Sequence, residues 1–463
     1  MHTIAIIGGG LSGTLLTIQL LLQDGDTPLR VYLVERSASV GKGVAYGTCV
    51  QSHLLNVPAA KMSLFPDDPE HFVRWLQINN LPFDDASFAP RPVYARYIGE
   101  TFTAAQARCP GRLHVVNGEA VDVREASEGL VVELDGGATL PCDRAVLALG
   151  NFPPTALSVL EQALAGDSRY VRDPWRGDPF AGLNKYNTVL LVGTGLTMVD
   201  MVRSLRDHGH QGEVVAISTH GELPSEHCQL ADAYPAFGET VPASGAEALR
   251  IVKEHLRRAQ TEGTGWHAVV DALRPYTAAW WGALPVAEQH RFLRYLGHRW
   301  NVARHRMPPE SGRVIREMAA QGQLRLLPGR VTAAESSPRG VTCTITSRRR
   351  AAQQVTVGRI INCTGPESNP LRWGTPLVQG LLRRGAVRSH ANGLGLDATA
   401  AGALVNAAGT PSGRLSAIGP MLKAALFESV AVPEIRCQAQ ELARVLLEPG
   451  ADSGFPVDRS PSR

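Results

Sequence analysis

Apolar positions in the first thirty-five residues fall into two short continuous runs around one helical run. Residues 3–7 (Thr, Ile, Ala, Ile, Ile) have buried-strand character and stop at Gly8, Gly9 and Gly10. Residues 15–22, rich in Leu and Ile, predict a buried helix, and residues 31–34 (Val, Tyr, Leu, Val) a second strand ending on Glu35. Strand, glycine turn, helix, strand and carboxylate in that order make the mononucleotide half of a dinucleotide site. Gly8 permits the tight turn, Gly10 lets backbone approach a pyrophosphate, and Gly13 lets helix and strand pack closely. A diphosphate would rest on unpaired N–H groups at the positive helix end, with Glu35 accepting from ribose hydroxyls. The bland alternative is a glycine-rich turn that binds nothing.

The pattern recurs once. Residues 188–192 form a strand, followed by Gly193, Thr194, Gly195, Leu196, Thr197 and Met198, with Met at the third glycine position. A helix over 199–205 and a strand over 213–217 follow. No carboxylate stands at the end of that strand, where Ser218, Thr219 and His220 occur, so nothing there repels a 2′-phosphate. NADPH is the expected ligand, with NADH as the alternative because no arginine follows the strand to clamp the phosphate. His220 and the two hydroxyls are its candidate partners.

Elsewhere the pattern alternates with period two or breaks at Gly and Pro. Residues 113–116, 120–123 and 130–134 predict an antiparallel meander. A buried strand over 144–149 ends at Gly150, Pro153 and Pro154, and residues 359–366 repeat that form, ending at Gly365 and Pro366. These two punctuated strands, one on each side of the second fingerprint, indicate one dinucleotide domain inserted into another. Strands over 324–327, 341–345 and 354–357 are expected to resume the first domain. Pro420 suits the first turn of a helix running to about residue 446. The predicted class is α/β with two Rossmann-like dinucleotide-binding domains, the NAD(P) domain inserted into the FAD domain, plus a helical insertion. The boundaries are 1–165 and 325–446 for the outer domain, 185–244 for the inner one and 245–324 for the insertion. Residues 447–463 are expected to be a frayed tail. The insertion concentrates Trp280, Trp281, Trp300, Arg291, Arg294, Arg299, Arg304, His305 and Arg306. Either its arginines hold an anionic substrate group, or it is a solvated face over an aromatic core.

Composition narrows the class. With 463 residues, 44% hydrophobic and 19% charged, the chain fits a soluble globular protein of two or three domains. A net charge of +3 points to no nucleic-acid partner and no acidic membrane. No apolar stretch is long enough to span a bilayer and no secretory signal precedes the first strand, so a cytoplasmic location is expected. The seven cysteines show no C-x-x-C and no zinc-like spacing, which argues against a metal site and against disulfide-reductase chemistry. Cys363 is the one thiol expected near a cofactor, or else a small buried residue. Residues 53–63 have an apolar body with few polar tips, suiting either a segment against a flat ring system or a plain buried connection.

Residues 41–63, 66–76, 193–205 and 418–438 together resemble the bacterial FAD/NAD(P)-binding proteins. That family is similar in layout to flavin-containing monooxygenases and to the N-hydroxylating monooxygenases of siderophore biosynthesis. The resemblance runs from Ile4 to about Leu446. It implies FAD diphosphate at Gly8, Gly10, Ser12 and Gly13, with the ribose at Glu35 beside Arg36. It implies Lys42, Asn56 and Met62 near the isoalloxazine, Ala120 at the adenine, Gly150 and Gly365 at cofactor-facing strand ends, and Gly419 at the pyrimidine edge. Gly193, Gly195 and Thr197 match the NAD(P) turn, with His220 beyond it. The chain departs from the pattern at Pro420, where many flavoproteins carry Asp after the glycine, and at Thr219 and His220, where relatives place a basic residue.

These readings converge on an FAD-dependent, NAD(P)H-consuming monooxygenase of class B type. O2 would add at flavin C4a, and the resulting (hydro)peroxyflavin would oxygenate a small nucleophilic substrate such as an amine. An NAD(P)H-dependent flavin reductase or dehydrogenase, and a non-catalytic FAD-binding sensor, are the alternatives. No acid or base is assigned. His53, Asn56, Lys61 and Arg304 are the candidates for polarising groups or moving protons near the ring, and the oligomeric state is left open.

Overall fold

The computed structural model describes all residues except 24–27, 38, 229–233, 239, 349 and 449–463. Most of the tail expected to fray therefore lies outside the described residues. Ile4 to Ile7 are buried on both sides, as expected of a central strand in a covered parallel sheet. That strand, His2–Ile7, lies between Leu29–Glu35 and Arg144–Leu147. Leu113–Asn117 extends one edge in parallel, and Pro411–Ala417 and Ala403–Val405 complete the other, making six strands. One face is covered by the helices Leu11–Leu22, His71–Ile78, Arg91–Arg108 and Val432–Leu447. The other carries a three-stranded antiparallel sheet of Ala120–Glu125, Leu130–Leu134 and Thr139–Cys142. Residues 113–116 were expected to join that meander. They pair instead with Leu29–Glu35, because a strand reached through a helical crossover continues the parallel sheet.

The second sheet has five parallel strands. Val189–Val192 is flanked by Val214–Ser218 and Arg359–Asn362, with Leu324–Pro328 and Tyr170–Val171 outermost. Helices Leu196–Asp207 and Pro309–Ala320 cover one face, and the antiparallel strands Arg330–Ser337, Gly340–Thr346 and Gln353–Val357 cover the other. The strands over 324–362 do not resume the outer domain but complete the inner one, and the chain returns to the first core only near Trp373. Similarly, the helix over 309–320 packs on the second sheet and is not part of the insertion.

The two punctuated strands repeat in form because each has the same task in its own sheet. A Cβ on Gly8 (φ +111°) would lie 2.4 Å from the Ala148 carbonyl oxygen. A Cβ on Gly193 (φ +111°) would lie 2.3 Å from the Cys363 carbonyl oxygen. Each strand end presses its backbone on the first glycine of a fingerprint, which only glycine admits. The helix expected from Pro420 also breaks. A 3₁₀ turn over Gly419–Leu422 leads to a short helix, Lys423–Leu426, and the long helix restarts at Val432–Leu447. Phe427 marks the break with a left-handed φ of +60°, a conformation that costs a bulky residue energy.

Candidate functional site

The carboxyl ends of the first sheet open into a cleft of about 1640 Å³. Small-molecule pockets span roughly 300–1,000 Å³, so this one has room for a dinucleotide. It lies where ligands of open α/β sheets are expected. Gly8, Gly10, Ser12, Glu35, Arg36, Lys42, Ala120 and Gly150 line it. The helix Leu11–Leu22 begins at Gly10 with no side-chain cap, leaving its first N–H groups for an anion. Glu35 is oriented by two neighbours: Gly9 N–H donates to Oε2 at 2.7 Å, and Ser37 N–H donates to Oε1 at 2.8 Å. Gly13 does not line the cleft but lies beneath it, where a Cβ would fall 1.9 Å from the Gly8 oxygen. Gly419 likewise serves packing: a Cβ there would meet Ser12 Oγ at 2.2 Å, and it is Pro420 that reaches the cleft.

Several lining residues had no sequence signal. Phe152 and Trp373 stack at 4.0 Å, and Trp175, Arg172, Arg176 and Arg372 add aromatic and cationic wall. They come from segments far apart in sequence, so no spacing could reveal them.

Other expected residues sit elsewhere. Met62 is a core side chain, 2% exposed, whose carbonyl accepts from Tyr94 Oη at 2.8 Å. Asn56 is half-buried, and its carbonyl accepts from His227 Nε2 at 3.0 Å. His53 is buried between Thr48 Oγ1 (2.8 Å) and Ser204 Oγ (2.7 Å), joining the two domains. Beside it the Arg91–Asp200 ion pair, 2.7 Å, spans the same boundary. Gly365 follows the closing strand of the second sheet and does not itself line the cleft, while the next residue, Pro366, bridges Pro154, which does. Cys363, near Gly365, is a buried thiol whose pKa burial pushes far up, and its carbonyl is the group that matters.

The second fingerprint repeats the first cradle. The helix Leu196–Asp207 starts at Gly195 without a side-chain cap, and a Cβ on Gly195 would meet no atom within 4 Å. Thr197 is in its first turn. Met198, where the third glycine would be, is fully buried in the core of this domain. His220 stacks on His298 at 4.1 Å.

The arginine-rich insertion proves to be an aromatic core seamed by ion pairs. Trp281 donates to the Ala424 carbonyl (2.9 Å) and stacks on Phe427 at 4.4 Å. Arg304 is held by Glu428 (3.0 Å) and Glu434 (3.3 Å), Arg274 by Glu434 (2.5 Å), and Trp300 Nε1 donates to Glu428 (3.0 Å). Burial raises the Glu428 pKa and lowers that of Arg304, while each charge opposes the other's shift. Arg304 is thus committed to two carboxylates rather than free to act on a ring. Lys61 is different: burial lowers its pKa, and Arg274, Arg306 and Arg304 act in the same direction against Asp271.

Burial lowers the His227 pKa to about 4, and it lowers those of His53 and His305 as well. A histidine held neutral in the fold contributes stability that is complete above its unfolded pKa, about 6.5. That contribution is lost as pH falls towards the folded value. Melting temperature should therefore drop between pH 7.5 and about 4.5, and His227→Gln should flatten part of that slope. Equal slopes for the two proteins in thermal melts would contradict this.

Among the described residues no helix is long and apolar enough to cross a membrane, and no group of three or more His, Cys, Asp or Glu could hold a metal. Residues 5–152 match the family model described as FAD-NAD(P)-binding. No curated protein sequence matches the chain. Among solved structures, the ornithine N-hydroxylase of Kutzneria sp. 744, with reduced FAD, NADP+ and L-ornithine, aligns at TM-score 0.62 and 17% identity, over 96% of this chain and 99% of that one. The ornithine hydroxylase of Pseudomonas aeruginosa, in reduced form, aligns at 0.62 and 16%, over 96% and 98%. The FAD-bound cadaverine monooxygenase of desferrioxamine biosynthesis from Erwinia amylovora aligns at 0.66 and 13%, over 99% and 96%. At such identities the likeness establishes the fold: this chain has the nested two-dinucleotide architecture of those flavoproteins over nearly its whole length.

Proposed function

We propose that the chain is an FAD-dependent, NAD(P)H-consuming monooxygenase that uses O2 on a small amine-bearing substrate. The observation that carries this reading is the pair of equivalent cradles in one polypeptide. Each is a largely parallel sheet whose fingerprint glycine is pressed against the carbonyl of a closing strand, below an uncapped helix start. The residues fit the two nucleotides. Gly10 and Ser12 bring backbone to a diphosphate, Lys42 and Arg36 line its surroundings, and Glu35 is aimed by Gly9 and Ser37 at a ribose. FAD, when bound, supplies hydride acceptance and oxygen activation. The protein's own work is to hold, orient and exclude water. His53, Arg91 and Asp200 fix the two nucleotide domains against each other. The insertion closes over residues 424–434 through Trp281, Trp300 and Arg304.

The test is oxygen uptake by the FAD-loaded protein with NADPH and a panel of L-ornithine and cadaverine, amines named for the structural neighbours, together with L-lysine. NADPH should bleach the flavin without oxygen. With at least one amine, hydrogen peroxide released should fall well below oxygen consumed. Peroxide equal to oxygen with every amine would make the protein a reductase, and no bleaching would remove the oxidoreductase reading altogether.

A further inference from the structure

The second fingerprint raises a question its local sequence leaves open: which group would hold a 2′-phosphate, when no arginine follows Val214–Ser218. The tertiary structure supplies one. We infer that Arg330, 111 residues beyond Thr219 in the chain, is the 2′-phosphate clamp and sets a preference for NADPH over NADH. This rests on the reading of the second domain as a nicotinamide-dinucleotide site.

The placement follows from sheet register. Val214–Ser218 and Leu324–Pro328 pair in parallel, setting Pro328 beside Ser218. Gly329 N–H then donates to the Ser218 carbonyl at 2.8 Å. A Cβ on Gly221 would meet Pro328 N at 2.9 Å, so the two turns are pressed together. The next residue, Arg330, emerges at the end of Val214–Ser218, and its Nε donates to Thr219 Oγ1 at 3.2 Å. In dinucleotide folds this strand end is where the adenosine ribose and its 2′-substituent are read.

The surrounding chemistry suits a phosphate. Thr219 Oγ1 accepts from Arg330, which leaves its own proton free to donate to an anion. Among the described residues no carboxylate pairs with Arg330, whose two terminal nitrogens can take a second partner in fork geometry. The nearest acid on the turn, Glu222, is engaged by His298 at 2.8 Å. Ser218 Oγ accepts from Gly221 N–H at 3.0 Å and Thr194 Oγ1 lies 2.9 Å away, which ties the strand end to the glycine turn. His220, stacked on His298, is the less suitable ligand.

Calorimetric titration of the full-length, FAD-loaded protein tests this without turnover. The probes are NADP+, NAD+ and 2′,5′-ADP, for wild type, Arg330→Ala and Arg330→Lys, with circular dichroism confirming the fold. Wild type should bind NADP+ more tightly than NAD+. Arg330→Ala should weaken NADP+ and 2′,5′-ADP by about ten- to a hundredfold, the range for a charge-assisted hydrogen-bonded pair, and leave NAD+ unchanged. Arg330→Lys should recover part of the loss. Equal NADP+ and NAD+ affinities, or an Arg330→Ala variant indistinguishable from wild type, would overturn the clamp while keeping a nicotinamide site. Binding of none of the probes by wild type would overturn the reading of the second domain itself.

Discussion

Gly10→Val should yield a folded protein that has lost its flavin. Gly10 has an extended backbone (φ −70°, ψ −170°) open to any residue. An added Cβ would meet only Gly43 backbone, its Cα at 3.5 Å and its N at 4.0 Å, both ordinary contacts. The fold does not require glycine here, so the two branches of valine would occupy the cleft where Gly10 lines it. The diphosphate then cannot approach the N–H groups of the helix start. We expect affinity for FAD to fall at least about a hundredfold, more than 2.7 kcal/mol, with the far-ultraviolet spectrum unchanged. Gly13→Val offers the contrast. Its Cβ would lie 1.9 Å from the Gly8 oxygen, so that variant should fail to fold rather than merely lose colour. A Gly10→Val preparation as yellow as wild type would mean that the cleft does not hold FAD as drawn.

Gly195→Val should separate the two cofactors the other way round. Its backbone is also extended (φ −79°, ψ −167°), and nothing lies within 4 Å of an added Cβ. The variant should keep FAD, because no residue of the first cradle is touched. Anaerobic stopped-flow mixing with NADPH should show flavin reduction slowed at least about a hundredfold, since the nucleotide is excluded from the helix start. A small chemical reductant such as dithionite should bleach the same flavin at the wild-type rate. Unchanged reduction by NADPH would show that the nicotinamide nucleotide does not use this turn.

The sites were legible in uneven parts. Gly8, Gly10, Gly13 and Glu35 could be read because a dinucleotide turn is made within one strand–helix–strand unit, in which Gly10 leaves room for a ligand and Gly13 packs on Gly8. Ser12, Arg36, Lys42, Ala120 and Gly150 do line the cleft. Met62 and Gly419 were drawn towards the ring by resemblance, yet Met62 is core, and Gly419 packs against Ser12. Arg304 looked available in sequence only because Glu428 and Glu434, which hold it, lie more than 120 residues away. Phe427 lies in a stretch without Gly or Pro, although Pro433, in the first turn of Val432–Leu447, marks where the helix resumes. The left-handed turn at Phe427 accompanies the stack on Trp281 from the insertion.

What the chain dictates by itself is the number of cradles, their order and the nesting of one in the other. Those follow from apolar periodicity, from the two glycine-rich turns and from the strand ends punctuated at Gly150 and Gly365. Strand partnership could not be read that way. Residues 144–147 and 359–362 look alike, and only packing decides that the first closes the outer sheet and the second the inner one. The same holds for Arg330, a surface residue on a strand of ordinary pattern until parallel register sets it against Thr219. Local steric rules act between chain neighbours, whereas register and ion pairing act between surfaces that meet only after the layers have closed.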